Sequence, residues 1–165
     1  MTDTPSSLAE KLTSEGEKSL AFFSALLPEQ WHLNIYEGEA IWTPRSILAH
    51  FLTAERGFLR LFKEILGGGA GTSPEFSIDR YNARQQQKLQ DVSPVELLPQ
   101  FMAIRTEMIA FVASLNQKDL EIMAHHPALG LVKLAAMIKM IYIHNQQHIR
   151  DIRTSLGAVT TPHDG

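Results

Sequence analysis

Apolar residues recur at helical spacings of three and four along four separate stretches of this 165-residue chain, and strand-type alternation is nearly absent. The first stretch runs from Pro5 to Leu27, with Leu12, Gly16, Leu20, Phe23 and Leu27 on one face. Thr4-Pro5 supplies a capping residue and a proline at the first helical position, and Pro28 ends it. Gly16 costs this helix about 1 kcal/mol relative to alanine. A second Thr-Pro pair, Thr43-Pro44, opens a stripe of Ile47, Phe51, Ala54, Phe58, Leu61 and Ile65 that Gly67-Gly68-Gly69 terminates. A short helix is predicted between Asp79 and Gln90. Ser93-Pro94-Val95-Glu96 reads as a capping box for the third long helix, whose Leu97, Phe101, Ile104, Met108, Phe111 and Leu115 keep the rhythm. Pro99, one turn inside, predicts a kink or a late start. The fourth helix is predicted from about Leu129 to Leu156, closed by Gly157. Four amphipathic helices that must each bury one face imply an all-α, up-and-down-type four-helix bundle with a short extra helix in the middle connection. Residues 1–157 form one domain on this reading, and 158–165 a flexible tail.

Charge and cysteine content narrow the chemistry. Fifteen Lys and Arg against eighteen Asp and Glu give a net charge of −3, with no basic block to meet a phosphate backbone, so nucleic acid is not an expected partner. The chain has no cysteine, which removes disulfides, thiolate-held metals and a cysteine nucleophile. The opening residues lack a basic and then apolar signal pattern, and the most apolar segment, Leu129 to Ile143, carries Lys133 and Lys139 and is too short for a bilayer. A cytoplasmic protein without a membrane partner is expected. Gly67 to Gly71 has no following lysine and ends a helix, so it reads as a linker rather than a phosphate loop.

The fourth stretch breaks its own pattern. Its core seam reads Leu134, Met137, Ile141, His144, His148, so two histidines occupy positions that periodicity assigns to the interior. Residues four apart on a helix lie with Cβ atoms about 5–6 Å apart on one face, a spacing that lets two imidazoles meet one ion at about 2.0–2.1 Å. His50, at the edge of the second stripe, completes a three-histidine set if the two helices meet at the right height. The alternative is that these are core histidines bonded to their neighbours. Two neutral imidazoles in a core need polar partners, and two protonated ones repel. Other metal motifs are missing: Asn145-Gln146-Gln147 lacks the glutamate of a zincin, and Glu29 to His32 is the lone Glu-x-x-His. His125-His126-Pro127, in the loop predicted before the fourth helix, suits a structural or pocket-rim role.

Trp42-Thr43-Pro44-Arg45-Ser46-Ile47-Leu48-Ala49-His50 is similar to the tryptophan-to-histidine opening of the second helix in the DinB-like superfamily of metal-binding four-helix bundles. Ile143-His144-Asn145-Gln146-Gln147-His148-Ile149-Arg150-Asp151-Ile152-Arg153 resembles that family's last-helix motif. His126-Pro127 with Gly130, and Ile78-Asp79-Arg80-Tyr81-Asn82, resemble its connecting segments. The resemblance implies a divalent ion, zinc or nickel, held by His50, His144 and His148. It also implies a homodimer and a metal-dependent enzyme of thiol S-transferase or hydrolase type, acting on a small molecule with a low-molecular-weight thiol as a candidate cosubstrate. Three neutral ligands leave open positions on an ion, the layout of a catalytic site. The competing reading is a metal-stabilised binding or stress-response module. Glu55, Asp151, Asn145, Tyr142 and Trp42 are candidates to orient the ligands or line a pocket, with Asp151 one turn beyond His148 to hold its ring.

Overall fold

A computed structural model describes residues 3–160. Helix α1 spans Pro5–Ser24, α2 Pro44–Leu66, α3 Ile78–Lys88, α4 Pro94–Ala113 and α5 Leu134–Thr160, with strands β1 Met123–His126 and β2 Gly130–Lys133 before the last helix. The two threonine caps form as the sequence predicts: Thr4 Oγ1 accepts from the Ser7 amide at 3.1 Å and Thr43 Oγ1 from the Ser46 amide at 3.2 Å. At α4 the Glu96 carboxylate accepts from the Ser93 amide at 3.0 Å and from its hydroxyl at 2.7 Å. Pro99 does not delay this helix, which is continuous from Pro94. The carbonyl that loses its intrahelical partner there belongs to Val95, a residue 81% exposed, so water can serve it.

The four long helices form the expected bundle. Both α1 and α2 pack against α4 and α5, so the ring order is α1, α4, α2, α5, with α1 diagonal to α2 and α4 diagonal to α5. The long connections between α1 and α2 and between α4 and α5 allow this arrangement. Leu12, Phe23, Phe51, Phe101, Met108 and Ile138 are among the side chains wholly removed from solvent between the helices. Gly16 has a positive reason to be there. A Cβ at this position would stand 3.0 Å from Cγ of Arg105, whose buried side chain fills the space against α1.

Three boundaries differ from the sequence reading. The first helix ends at Ser24 and the chain turns into a single 3-10 segment, Pro28–His32, which plants Trp31 on Phe23 in a stacked contact at 5.7 Å. The predicted start of the fourth helix is instead an antiparallel hairpin, with His126 paired to Gly130 and Met123 to Lys133. Strands of four residues are too short for alternation to show. At the other end α5 passes through Gly157 to Thr160, and the remaining tail residues predicted as flexible, 161–165, lie outside the described residues.

The hairpin has a third, shorter neighbour. Gly71 bridges His125 in parallel, and the Thr72 amide donates to the His125 carbonyl at 2.8 Å. Gly71 has φ +93°, and a Cβ there would lie 2.4 Å from both the amide nitrogen and the carbonyl oxygen of His125. The glycine-rich linker is therefore a docking strand that only a residue without a side chain permits. Among the described residues no helix is long and apolar enough to cross a membrane.

Candidate metal centre

Because α2 and α5 are adjacent in the ring, the tryptophan-to-histidine opening of one helix faces the histidine pair of the other. His50 Nε2 lies 3.1 Å from His144 Nε2, which lies 2.9 Å from His148 Nε2. One ligand atom from each of the three residues falls within 4.8 Å of the others. Three imidazole nitrogens around one ion at about 2.0–2.1 Å stand about 2.9–3.4 Å apart for angles between octahedral and tetrahedral. Both separations, 2.9 and 3.1 Å, fall within that span.

Hydrogen placement favours a cation over a hydrogen-bonded cluster. The Tyr36 hydroxyl donates to Asp151 Oδ2 at 2.5 Å and lies 2.8 Å from His148 Nδ1. With its own proton committed to the carboxylate, the phenol oxygen accepts from Nδ1–H of His148, so Nε2 of that ring carries a lone pair aimed at the cluster. A proton on His144 then serves one of its two close neighbours well and leaves the other contact as lone pair against lone pair. A single cation satisfies all three.

Electrostatics point the same way. Burial, reinforced by the neighbouring rings of His144 and His148, pushes His50 down to about 3. Burial also pushes His148 down to about 4, opposed by Asp151, and lowers His144. All three rings are neutral near pH 7, the form that binds metal. His50 Nδ1 is buried without a hydrogen-bond partner, and its ring meets that of Trp42 edge to face at 5.2 Å.

The other sequence candidates divide. Asp151 is linked to His148 by hydrogen bonds through Tyr36, in addition to the effect of its charge on that ring. Tyr36 itself was missed, because it lies in a loop 112 positions away and nothing in its local pattern marks it. Glu55 and Asn145 belong to a buried network instead. Arg105, wholly buried, donates to Glu55 through Nε at 2.9 Å and Nη2 at 2.5 Å, and to the Leu12 carbonyl at 3.0 Å. With the Asn145 amide turned so that both its atoms are satisfied, its oxygen accepts from Arg105 Nη2 at 2.9 Å and its nitrogen donates to the Ile141 carbonyl at 3.2 Å. This network ties α1, α2, α4 and α5 together beside the histidines. Tyr142 points to α1, where Lys11 Nζ lies 5.9 Å from its ring centre.

A cavity of about 290 Å³ opens on the cluster, with His50 and His144 in its wall. Ala54, Phe58, Leu61, Phe76 and Met140 make most of it apolar, and His126 closes one side. The pocket-rim role expected for His126 matches this position, while His125 is exposed and serves the hairpin through its backbone.

A family model for the DinB superfamily matches residues 11–152. Among solved structures, the fold is similar to YfiT from Bacillus subtilis, a probable metal-dependent hydrolase with an unusual four-helix bundle topology. That match has a TM-score of 0.74 at 16% identity, covering 93% of this chain and 89% of that one. The sibling lethal factor precursor DfsB matches with a TM-score of 0.73 at 14% identity, over 98% of this chain and 100% of the other. The colibactin self-resistance protein ClbS, solved in complex with dsDNA, matches with a TM-score of 0.69 at 10% identity, over 93% and 97%. Identities this low speak for the fold. A search of curated proteins finds no match.

Proposed function

The chain belongs to the DinB superfamily, and from that membership we propose that it is a metal-dependent enzyme whose ion is held by Nε2 of His50, His144 and His148. The observation that carries this reading is the pair of Nε2 separations, 3.1 and 2.9 Å, at the wall of an apolar cavity. A divalent ion there supplies Lewis acidity, which lowers the pKa of a water or thiol or polarises a carbonyl. The chain's own residues do the rest. Tyr36 and Asp151 hold the His148 ring in one tautomer, Trp42 backs His50, and the apolar wall excludes water from a small substrate.

Hydrolysis with water as the nucleophile, or S-transfer with an external low-molecular-weight thiol, both suit this layout. Each needs open positions on the ion, and three protein ligands leave them. Zinc or nickel is the ion that the family resemblance suggests, although an all-imidazole set suits copper and iron as well. A cytoplasmic homodimer that takes a small molecule completes the reading. The dsDNA bound by ClbS is that protein's ligand, and the net charge of −3 here does not favour a phosphate backbone.

Elemental analysis of protein purified without an affinity tag tests the proposal. About one zinc or nickel per chain is expected, lost in His144→Ala and in His50→Ala. Metal content unchanged in both variants would refute the site. Turnover of activated esters, or of electrophiles with added thiols, by the metal-loaded protein then separates catalysis from a metal-stabilised binding module.

A further inference from the structure

The wall of the cavity changes character along α2. Near the histidines it is apolar, through Ala54, Phe58 and Leu61, but exposed Arg60 also lines it, about 15 Å of helix beyond His50. Arg60 and Tyr81 line a second hollow as well, between α2, α3 and α4, whose wall adds Arg56, Lys63 and Lys88. Positions 56, 60 and 63 are spaced by four and three and so share one face of α2, while Lys88 ends α3. Glu107 is the one carboxylate on that second wall among the described residues.

None of these four cations has a carboxylate within 4 Å among the described residues, whose ion pairs all lie elsewhere. Arg56 donates to a neutral partner, Gln100 Oε1, at 3.1 Å. In a chain of net charge −3 this is a local reversal of sign, and cations gathered without counter-charges favour an anion between them. The junction of cavity and hollow is fixed by Tyr81. Its hydroxyl donates to the Thr53 carbonyl at 2.8 Å, and it fits against α2 because residue 57 is glycine: a Cβ there would stand 3.0 Å from the hydroxyl oxygen. Burial raises the pKa of this phenol and the nearby Arg60 charge opposes the rise, so the guanidinium stands beside Tyr81 at the boundary.

We propose that the substrate of the cavity is an amphiphilic oxyanion, whose apolar body lies against Phe58 and Leu61 and whose carboxylate or phosphate passes Tyr81 to meet Arg60 and the cations of the adjoining hollow. The inference deepens the reading of this cavity as a substrate site and rests on it. A guanidinium presents paired N–H donors to two oxygens of such a group, which makes Arg60 the specificity-determining residue. Glu64, one turn beyond Arg60 in the cavity wall, repels an oxyanion placed there and turns the head group toward the hollow. The opposite end of the molecule faces His50 and His144.

Three probes of like length test this: octanoate and octyl phosphate, which carry the anion, and octanamide, which does not. Their affinities are measured by NMR shift titration at low salt, on the protein as purified and again after chelation. The wild type is expected to prefer an anionic probe by on the order of ten-fold, the worth of a charge-assisted contact. A preference for either anion supports the inference, and the stronger one names the head group. Arg60→Gln should remove most of the preference while leaving octanamide binding unchanged, and Arg60→Lys should retain part of it. Nuclear Overhauser contacts should place the methylene beside the head group at Tyr81 and the terminal methyl nearer His144. Equal affinities, binding of no probe, a preference unchanged in Arg60→Gln or the reversed orientation would each overturn the inference. So would a duplex oligonucleotide that binds through the same cations while the small probes show no preference. If chelation alone removed the preference, the anion would be a ligand of the ion, overturning this role for Arg60 and leaving the metal reading intact. A preference that survives in protein without metal supports Arg60 even where the metal reading fails.

Discussion

The Tyr36 hydroxyl stands 2.8 Å from Nδ1 of His148, a contact across 112 positions of sequence that decides which nitrogen of that ring faces the cluster. Removing it frees the ring to rotate and to change tautomer. Tyr36→Phe is expected to weaken metal binding by about 10- to 100-fold, the usual effect of losing a partner that orients a ligating histidine. Competition against a chromogenic chelator measures this, and an unchanged affinity would assign Tyr36 to packing alone.

Protonation competes with the ion over a lower range than free imidazole suggests. An unperturbed histidine titrates at about 6.5, but burial pushes His50 down to about 3 and His148 down to about 4. Metal should therefore stay bound well below pH 6.5 and leave as pH approaches 4. The sign for folding follows from the same shifts. The unfolded chain takes up protons below about 6.5 that the folded chain refuses, so metal-free stability is full above that pH and falls on acidification. Each of the two rings contributes about 1.4 kcal/mol per pH unit across its window. Urea denaturation of chelated protein between pH 7 and 4 checks the slope; stability that rose on acidification would contradict it.

Glu55 neutralises a guanidinium that has no route to water. Glu55→Ala leaves Arg105 buried and unpaired, and should cost about 3–5 kcal/mol. Replacing both residues by apolar side chains of similar volume should recover most of that loss. Denaturant midpoints of the single and double variants provide the comparison, and a mild single variant would mean that solvent reaches Arg105.

Gly71→Ala places a Cβ against the His125 backbone at a φ of +93°. The bridge should open, and the Thr72 amide, which donates to the His125 carbonyl, should lose protection from hydrogen exchange. The substitution should destabilise by about 1 kcal/mol or more. Retained protection at Thr72 would show that the strand docks without this contact.

Helical content, the caps at Thr4 and Thr43 and the seam that carries His144 and His148 were readable in the sequence, because each depends on residues within a turn or two of one another. The same holds for His50 at the edge of its stripe. The hairpin was not readable: β1 and β2 are four residues each, and their pairing is supported by the Gly71 segment more than 50 positions away. Gly16 looked like a cost in its own helix and proves to be room for Arg105, a residue of another helix.

Local periodicity thus determined four buried faces and put two imidazoles on one of them, since the pitch of a helix is a property of the chain itself. Only the packing of α2 beside α5 brought His50 Nε2 to 3.1 Å from His144 and Tyr36 to His148. Helix order around a bundle and the height at which two helices meet depend on how all the faces are buried together, and no single stretch encodes that.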